Sequence, residues 1–313
     1  MTESHDVAVI GAGDMGHGFA AHFSMTGQNV TLIDHRDSNI AEAKDRIREV
    51  VDFHVEEELT DLSAETVVEA VDFTVDRAAG VADADIVLET ITEDLEVKRD
   101  LFSSLADEAP ADAILSSNTS GIPITGIAEG APRAADRIVG CHWWFPPYLM
   151  LPVEVVRGEE TSDETVDRTR AFVEAVDRKP LTVERDVPGF VWNRVQMAVV
   201  RECTHLAAEG VASVEDINMA IRDGYARRTA VIGPFETIDI AGLDLFQTVA
   251  GDVYPHLCDD DGPNELFDEH LAADRGGIDD GAGFFDYDEP PEAVTRERDV
   301  GLAALLRTLG GEE

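Results

Sequence analysis

The stretch Val7-Ala8-Val9-Ile10-Gly11-Ala12-Gly13-Asp14-Met15-Gly16, followed 18 residues later by Asp34, constrains this chain more than any other feature. It reads as a strand, a glycine turn, a helix, a second strand over Asn29–Ile33, and then a carboxylate. Gly11 permits a tight turn, Gly13 lets the backbone approach a pyrophosphate, and Gly16 lets the helix pack on the strand. The helix points its free N–H groups at the phosphates. Gly11, Ala12, Gly13, Asp14, Met15 and Gly16 therefore form the expected cofactor loop. Asp34 is placed to accept from both ribose hydroxyls of a dinucleotide. A 2′-phosphate there would be repelled, which favours NAD over NADP, although Arg36 nearby weakens the preference.

The 313-residue length suggests two domains. A formal charge of −41, from 65 acidic against 24 basic residues, argues against a nucleic-acid partner. The acids are dispersed along periodic apolar segments, which argues against disorder. Lysine occurs only at positions 44, 98 and 179. An acidic, lysine-poor surface suits a very salty cytoplasm, where screening removes self-repulsion, so a halophilic source is expected. No apolar run is long enough to span a membrane, and the first strand begins too early to leave room for a signal peptide. The three cysteines, Cys141, Cys203 and Cys258, suit a reducing cytoplasm, and their spacing forms no metal pattern.

Alternating elements fill the first half. Strands are expected at 6–10, 30–33, 86–89, 113–116, 138–144, 153–156 and 181–183, and helices at 14–26, 38–58, 93–109 and 162–175. This pattern predicts a doubly wound parallel α/β sheet over residues 1–186. From residue 187 to 313 only helical segments appear, at 191–208, 214–221, 235–254 and 290–309, with a loop at 279–289. A smaller all-helical domain is expected there.

Five further stretches carry a family resemblance. They are Glu89-Thr90-Ile91-Thr92-Glu93-Asp94-Leu95-Glu96-Val97-Lys98, then Ser116-Ser117-Asn118-Thr119-Ser120, then Gly140-Cys141-His142-Trp143-Trp144-Phe145-Pro146-Pro147 running to Pro152-Val153-Glu154-Val155-Val156. Pro188-Gly189-Phe190-Val191-Trp192-Asn193-Arg194 follows, and Gly233-Pro234-Phe235-Glu236-Thr237 with Ala241-Gly242-Leu243-Asp244 closes the set. Their order and spacing resemble the L-3-hydroxyacyl-CoA dehydrogenase family over nearly the whole chain. The resemblance implies a Rossmann-type domain, NAD as cofactor, and a homodimer. It makes His142 the base that takes the hydroxyl proton, and Glu154 the carboxylate that pairs with it. Ser120 is implied near the substrate oxygen and the nicotinamide, and Asn193 as a hydrogen-bond partner of the substrate. Glu93 and Lys98 are implied at the nicotinamide end of the cofactor. Without the family, Lys98 reads as an ordinary helix ion pair with Asp94, and Ser120 as a helix cap before Pro123.

Three positions depart from the family pattern. Phe145 stands where an asparagine is usual. Asp279 stands where the C-terminal loop usually has lysine. Glu56-Glu57-Glu58 end the helix that in acyl-CoA enzymes tends to be basic where it meets the CoA phosphates. The leading expectation is oxidation of an L-3-hydroxyacyl-CoA. The alternatives are a free small hydroxy acid of the 3-hydroxybutyrate, carnitine or gulonate type, and a non-catalytic NAD-binding protein.

Overall fold

A computed structural model describes residues 4–309. The first half runs β1 (Asp6–Ile10), α1 (Gly16–Met25), β2 (Asn29–Ile33), α2 (Asp37–Glu56), α3 (Ala64–Glu69), β3 (Val71–Thr74), α4 (Arg77–Val81) and β4 (Ile86–Glu89). It continues with α5 (Leu95–Glu108), β5 (Ile114–Ser117), α6 (Ile124–Ala128), β6 (Ile138–Trp143), β7 (Pro152–Val156), α7 (Asp163–Ala175) and β8 (Lys179–Val183). The eight strands form one sheet in the order β3-β2-β1-β4-β5-β6-β7-β8. The reversal of order between β1 and β4 is the crevice where ligands of open α/β sheets collect.

Both faces of the sheet are buried, as expected where helices cross over on each side. Along β1, Val7 and Val9 pack with Phe19, Phe23, Leu32 and Ile47 on one face. Ala8 and Ile10 pack with Val87, Phe102, Leu105 and Leu115 on the other. The sheet departs from the all-parallel expectation at one place: β6 and β7 are antiparallel. The reason is topological, because only eight residues separate them and a parallel return needs a crossover of a dozen or more.

The second half holds α8 (Trp192–Ala208), α9 (Val214–Met219), a π-helical turn over Ala220–Ala226, α10 (Arg227–Thr229), α11 (Pro234–Ala241), α12 (Leu243–Val253), α13 (Glu265–Ala272) and α14 (Pro291–Leu309). The expected single helix over 235–254 is broken at Gly242, whose φ of 103° no helix allows. The chain divides into two compact units, one up to Asn193 together with Glu297 onward, the other from Arg194 to Arg296. The C-terminal part of α14 thus belongs to the sheet unit: Ala303, Leu302 and Leu306 pack with Phe53, Leu59 and Leu149. Among the described residues no helix is long and apolar enough to cross a membrane.

Candidate active site

The glycine loop fits a dinucleotide by its steric pattern. Gly11 has φ 107°, and a Cβ there would lie 2.6 Å from the Thr90 carbonyl oxygen. A Cβ on Gly16 would lie 1.7 Å from the Gly11 carbonyl oxygen, so neither glycine can be replaced without moving backbone. Gly13 is the opposite case: a Cβ there would meet nothing within 4 Å. That open side is where a pyrophosphate would approach the backbone. Asp34 ends β2 beside this loop, with one carboxylate oxygen accepting from Ala12 N at 2.9 Å. Its other oxygen accepts from Arg36 N and from Asn39 Nδ2. The acid is held rigidly against the first turn of the motif.

Beyond β4, buried charge organises the next wall of the crevice. Glu89, at the end of β4, is fully buried. It accepts from Lys98 Nζ at 2.6 Å, Ser117 Oγ at 2.6 Å and Ile91 N at 2.7 Å. Lys98 also lies 3.4 Å from Glu93, and its side chain is 1% exposed. It does not pair with Asp94, because the Asp94 carboxylate caps α5 by accepting from Glu96 N and Val97 N. Glu93 is the exposed end of this chain of contacts. Its Oε1 accepts from Thr119 Oγ1 at 2.5 Å and from Ser120 N at 3.0 Å. Lys98 is therefore buried behind Glu93, which is the member of the group that reaches the surface. Ser120 caps no helix, since Pro123 occupies the first position before α6.

His142 and Glu154 are direct cross-strand partners in the antiparallel β6–β7 pair. Both are buried, and His142 Nδ1 lies 2.7 Å from Glu154 Oε2. Cys141 and Trp143, one residue to either side of His142, point into the opposite core. Glu154 Oε1 accepts from Val191 N at 2.8 Å and Trp192 N at 3.0 Å, where the chain enters α8. Burial alone would raise the Glu154 pKa, but the hydrogen bonds from His142, Trp192 and Val191 outweigh it and hold the carboxyl below its usual range. Trp144 stacks on Trp192 with ring centres 4.0 Å apart, and Phe190 lies 5.8 Å from the imidazole. These rings exclude water from one side of the pair.

Asn193 donates from Nδ2 to the Ser120 carbonyl at 2.8 Å, so the structure brings Ser120, Asn193 and Glu93 into one cluster. Sequence reasoning missed Glu89 and Asn118. Asn118 Oδ1 accepts from Trp143 N at 2.8 Å and fixes the strand end that carries His142. Both lie within or beside motifs read for other residues. It also missed Arg298 of α14, whose guanidinium sits 5.1 Å from the centre of the Phe145 ring.

The NAD-binding domain model of 3-hydroxyacyl-CoA dehydrogenases matches residues 6–187, and the C-terminal domain model of the same enzymes matches residues 189–287. The chain belongs to the 3-hydroxyacyl-CoA dehydrogenase family. It is an NAD-dependent oxidoreductase of that family. The chain is 34% identical to 5-formyl-3-hydroxy-2-methylpyridine 4-carboxylate 5-dehydrogenase of Mesorhizobium japonicum, over 98% of this chain and 99% of that one. It is 35% identical to L-carnitine dehydrogenase of Streptomyces coelicolor, over 97% and 94%. A probable 3-hydroxybutyryl-CoA dehydrogenase of Deinococcus radiodurans is 36% identical, over 89% and 99%. Among solved structures, that of a 5-formyl-3-hydroxy-2-methylpyridine 4-carboxylic acid 5-dehydrogenase superposes with a TM-score of 0.90 at 33% identity, covering 99% of this chain and 100% of that one. (S)-3-hydroxybutyryl-CoA dehydrogenase from Ralstonia eutropha gives 0.74 at 29% identity, covering 92% and 100%.

Proposed function

We propose that this member of the family oxidises the secondary alcohol of a small free hydroxy acid, with His142 as base, rather than an acyl-CoA thioester. One observation carries the choice of substrate. The end of α2, where acyl-CoA enzymes are basic toward the CoA phosphates, is packed under α14 through Phe53, Leu59, Leu302 and Leu306. There Arg307 is spent on Glu57, at 3.0 Å, and α14 lies outside both matched family segments. The same helix sets Arg298 against Phe145. Two full-length relatives carry names of small carboxylate substrates, which supports the same reading.

Bound NAD supplies the hydride acceptor. With Nδ1–H donating to Glu154, the imidazole presents Nε2 with a free lone pair, the tautomer a base needs. The proton taken there is balanced by an ionised Glu154, whose lowered pKa keeps it charged. Ser120 orients the substrate oxygen, and Asn193 holds the Ser120 turn while offering its amide oxygen. Hydride leaves the carbinol carbon, the proton leaves its oxygen, and a ketone remains.

NADH formation in molar KCl, with 3-hydroxybutyryl-CoA beside free 3-hydroxybutyrate, carnitine and gulonate, tests the reading. Turnover with a free acid and not with the thioester is expected. Turnover restricted to the thioester overturns it and restores the acyl-CoA assignment.

A further inference from the structure

The helical unit has almost no interior. Of its described residues from Arg194 to Arg296, only Cys258 and Gly283 are buried. A unit with so small a core needs another source of order, such as a partner surface, a disulfide or a metal. Its one buried side chain is a free thiol. Donor atoms of Cys258, His205 and Asp260 all lie within 4.8 Å of one another. They come from two segments far apart in sequence: His205 from α8, the other two from the connection between Tyr254–His256 and α13.

The same face of α8 holds that connection in place. Glu202 Oε2 accepts from Cys258 N at 2.9 Å, and Arg201 Nη1 donates to the Asp260 carbonyl at 3.3 Å. Positions 201 and 202 therefore hold the loop to α8, and position 205 of the same helix brings an imidazole to it, so the three donor atoms converge before any ion arrives.

We propose that His205, Cys258 and Asp260 bind a divalent transition-metal ion of the Zn²⁺ class, which clips the 257–264 segment to α8. One sulfur, one nitrogen and one oxygen suit a borderline ion; Mg²⁺ and Ca²⁺ take oxygen ligands. Zinc bonds of about 2.0–2.3 Å in a tetrahedron require ligand separations of about 3.3–3.8 Å. The donor atoms, all within 4.8 Å of one another, lie near that range, and the exposed Asp260 is the ligand with most room to adjust. Three protein ligands leave a fourth position for water. Binding displaces the thiol proton to solvent, so affinity rises with pH. Sequence spacing hides the site because the ligands share no short motif.

The test uses Co²⁺ and Zn²⁺ on the full chain after chelation. Co²⁺ titration should yield the intense near-ultraviolet thiolate-to-cobalt band and the visible bands of four-coordinate cobalt. Cys258→Ser should abolish the thiolate band, whereas Cys203→Ser, on α8 with His205, should leave it intact. Even residues that only support ligands contribute about 10–100-fold to metal affinity, so His205→Ala should weaken Zn²⁺ binding at least that much. Asp260→Asn, at an exposed site, gives a variant whose folding is not in question and should weaken Zn²⁺ binding as well. A weak six-coordinate cobalt spectrum without the thiolate band, or Zn²⁺ affinity unchanged in Asp260→Asn, overturns the proposal.

Discussion

The two units of this chain solve the problem of stability in opposite ways. The sheet unit buries both faces of its strands and holds two buried ionisable pairs: Glu89 with Lys98, and Glu154 with His142. The helical unit leaves large apolar side chains in solvent, with Phe235 80% and Ile240 75% exposed. The proposed base, His142, and its carboxylate sit in the first unit, where packing and register hold them. The second unit resembles half of an interface, and its amphipathic helices call for a surface outside the unit.

That contrast can be broken, the largest effect first. His142→Gln should lower kcat by about 10²–10⁴-fold, the range for a general base, while NAD binding measured by calorimetry is unchanged. Retained turnover would remove the base from the sheet unit. Lys98→Met leaves Glu89 buried without its cation and should cost about 3–5 kcal/mol in denaturant unfolding. Arg307→Ala, at a half-exposed pair with Glu57, should cost no more than about 1 kcal/mol. Both pairs lie in the sheet unit, so equal losses would mean that burial adds nothing to pairing there.

Gly13→Ala sharpens the comparison inside the cofactor loop. With open space around the added methyl, unfolding should be unaffected while NAD affinity falls at least about tenfold, or about 1.4 kcal/mol. A loss of stability with NAD binding intact contradicts the phosphate role of that position.

Acid sensitivity should also reside in the sheet unit. Burial is the main cause that lowers the pKa of His22 and of His54. As pH falls past about 6.5, the unfolded chain takes up protons that the folded chain refuses. Stability should therefore drop by up to about 1.4 kcal/mol per pH unit for each such histidine. The denaturant midpoint measured at about pH 7.5 and about pH 5.5 checks this, and equal midpoints refute it.

Phe235→Asp probes the exposed face of the helical unit, where Phe235 is 80% exposed in the single chain. The same variant should convert a dimer to a monomer in light scattering. A parent chain that is already monomeric defeats this expectation of a homodimer.

How much of this was legible beforehand depended on what each residue answers to. β1 and β4 were read to the residue, because a fully apolar run before a glycine turn or an acidic end has one solution. β3 was missed: four residues, half of them polar and only Val71 buried, carry no alternation to read at a sheet edge. The pairing of His142 with Glu154 came from resemblance, and the antiparallel register is its physical cause. Lys98 was linked to Asp94 by helical spacing, but capping and burial override spacing of that kind. Glu89 escaped notice because a strand-end acid is ordinarily solvated, and only the fold shows three donors converging on it.

The β6–β7 hairpin has a consequence for how such a protein can diversify. His142 and Glu154 face each other because the main chains of two adjacent strands are in register, and a slip of one residue would turn one side chain to the opposite face of the sheet. The intervening residues 144–151 are not bound by that register, although Leu149 among them packs with Phe53 and Ala303. An exposed member such as Phe145 can exchange its side chain while His142 and Glu154 stay aligned. Mutation is thereby channelled into the exposed turn of the hairpin rather than its paired strands, and the paired side chains can persist while their surroundings change.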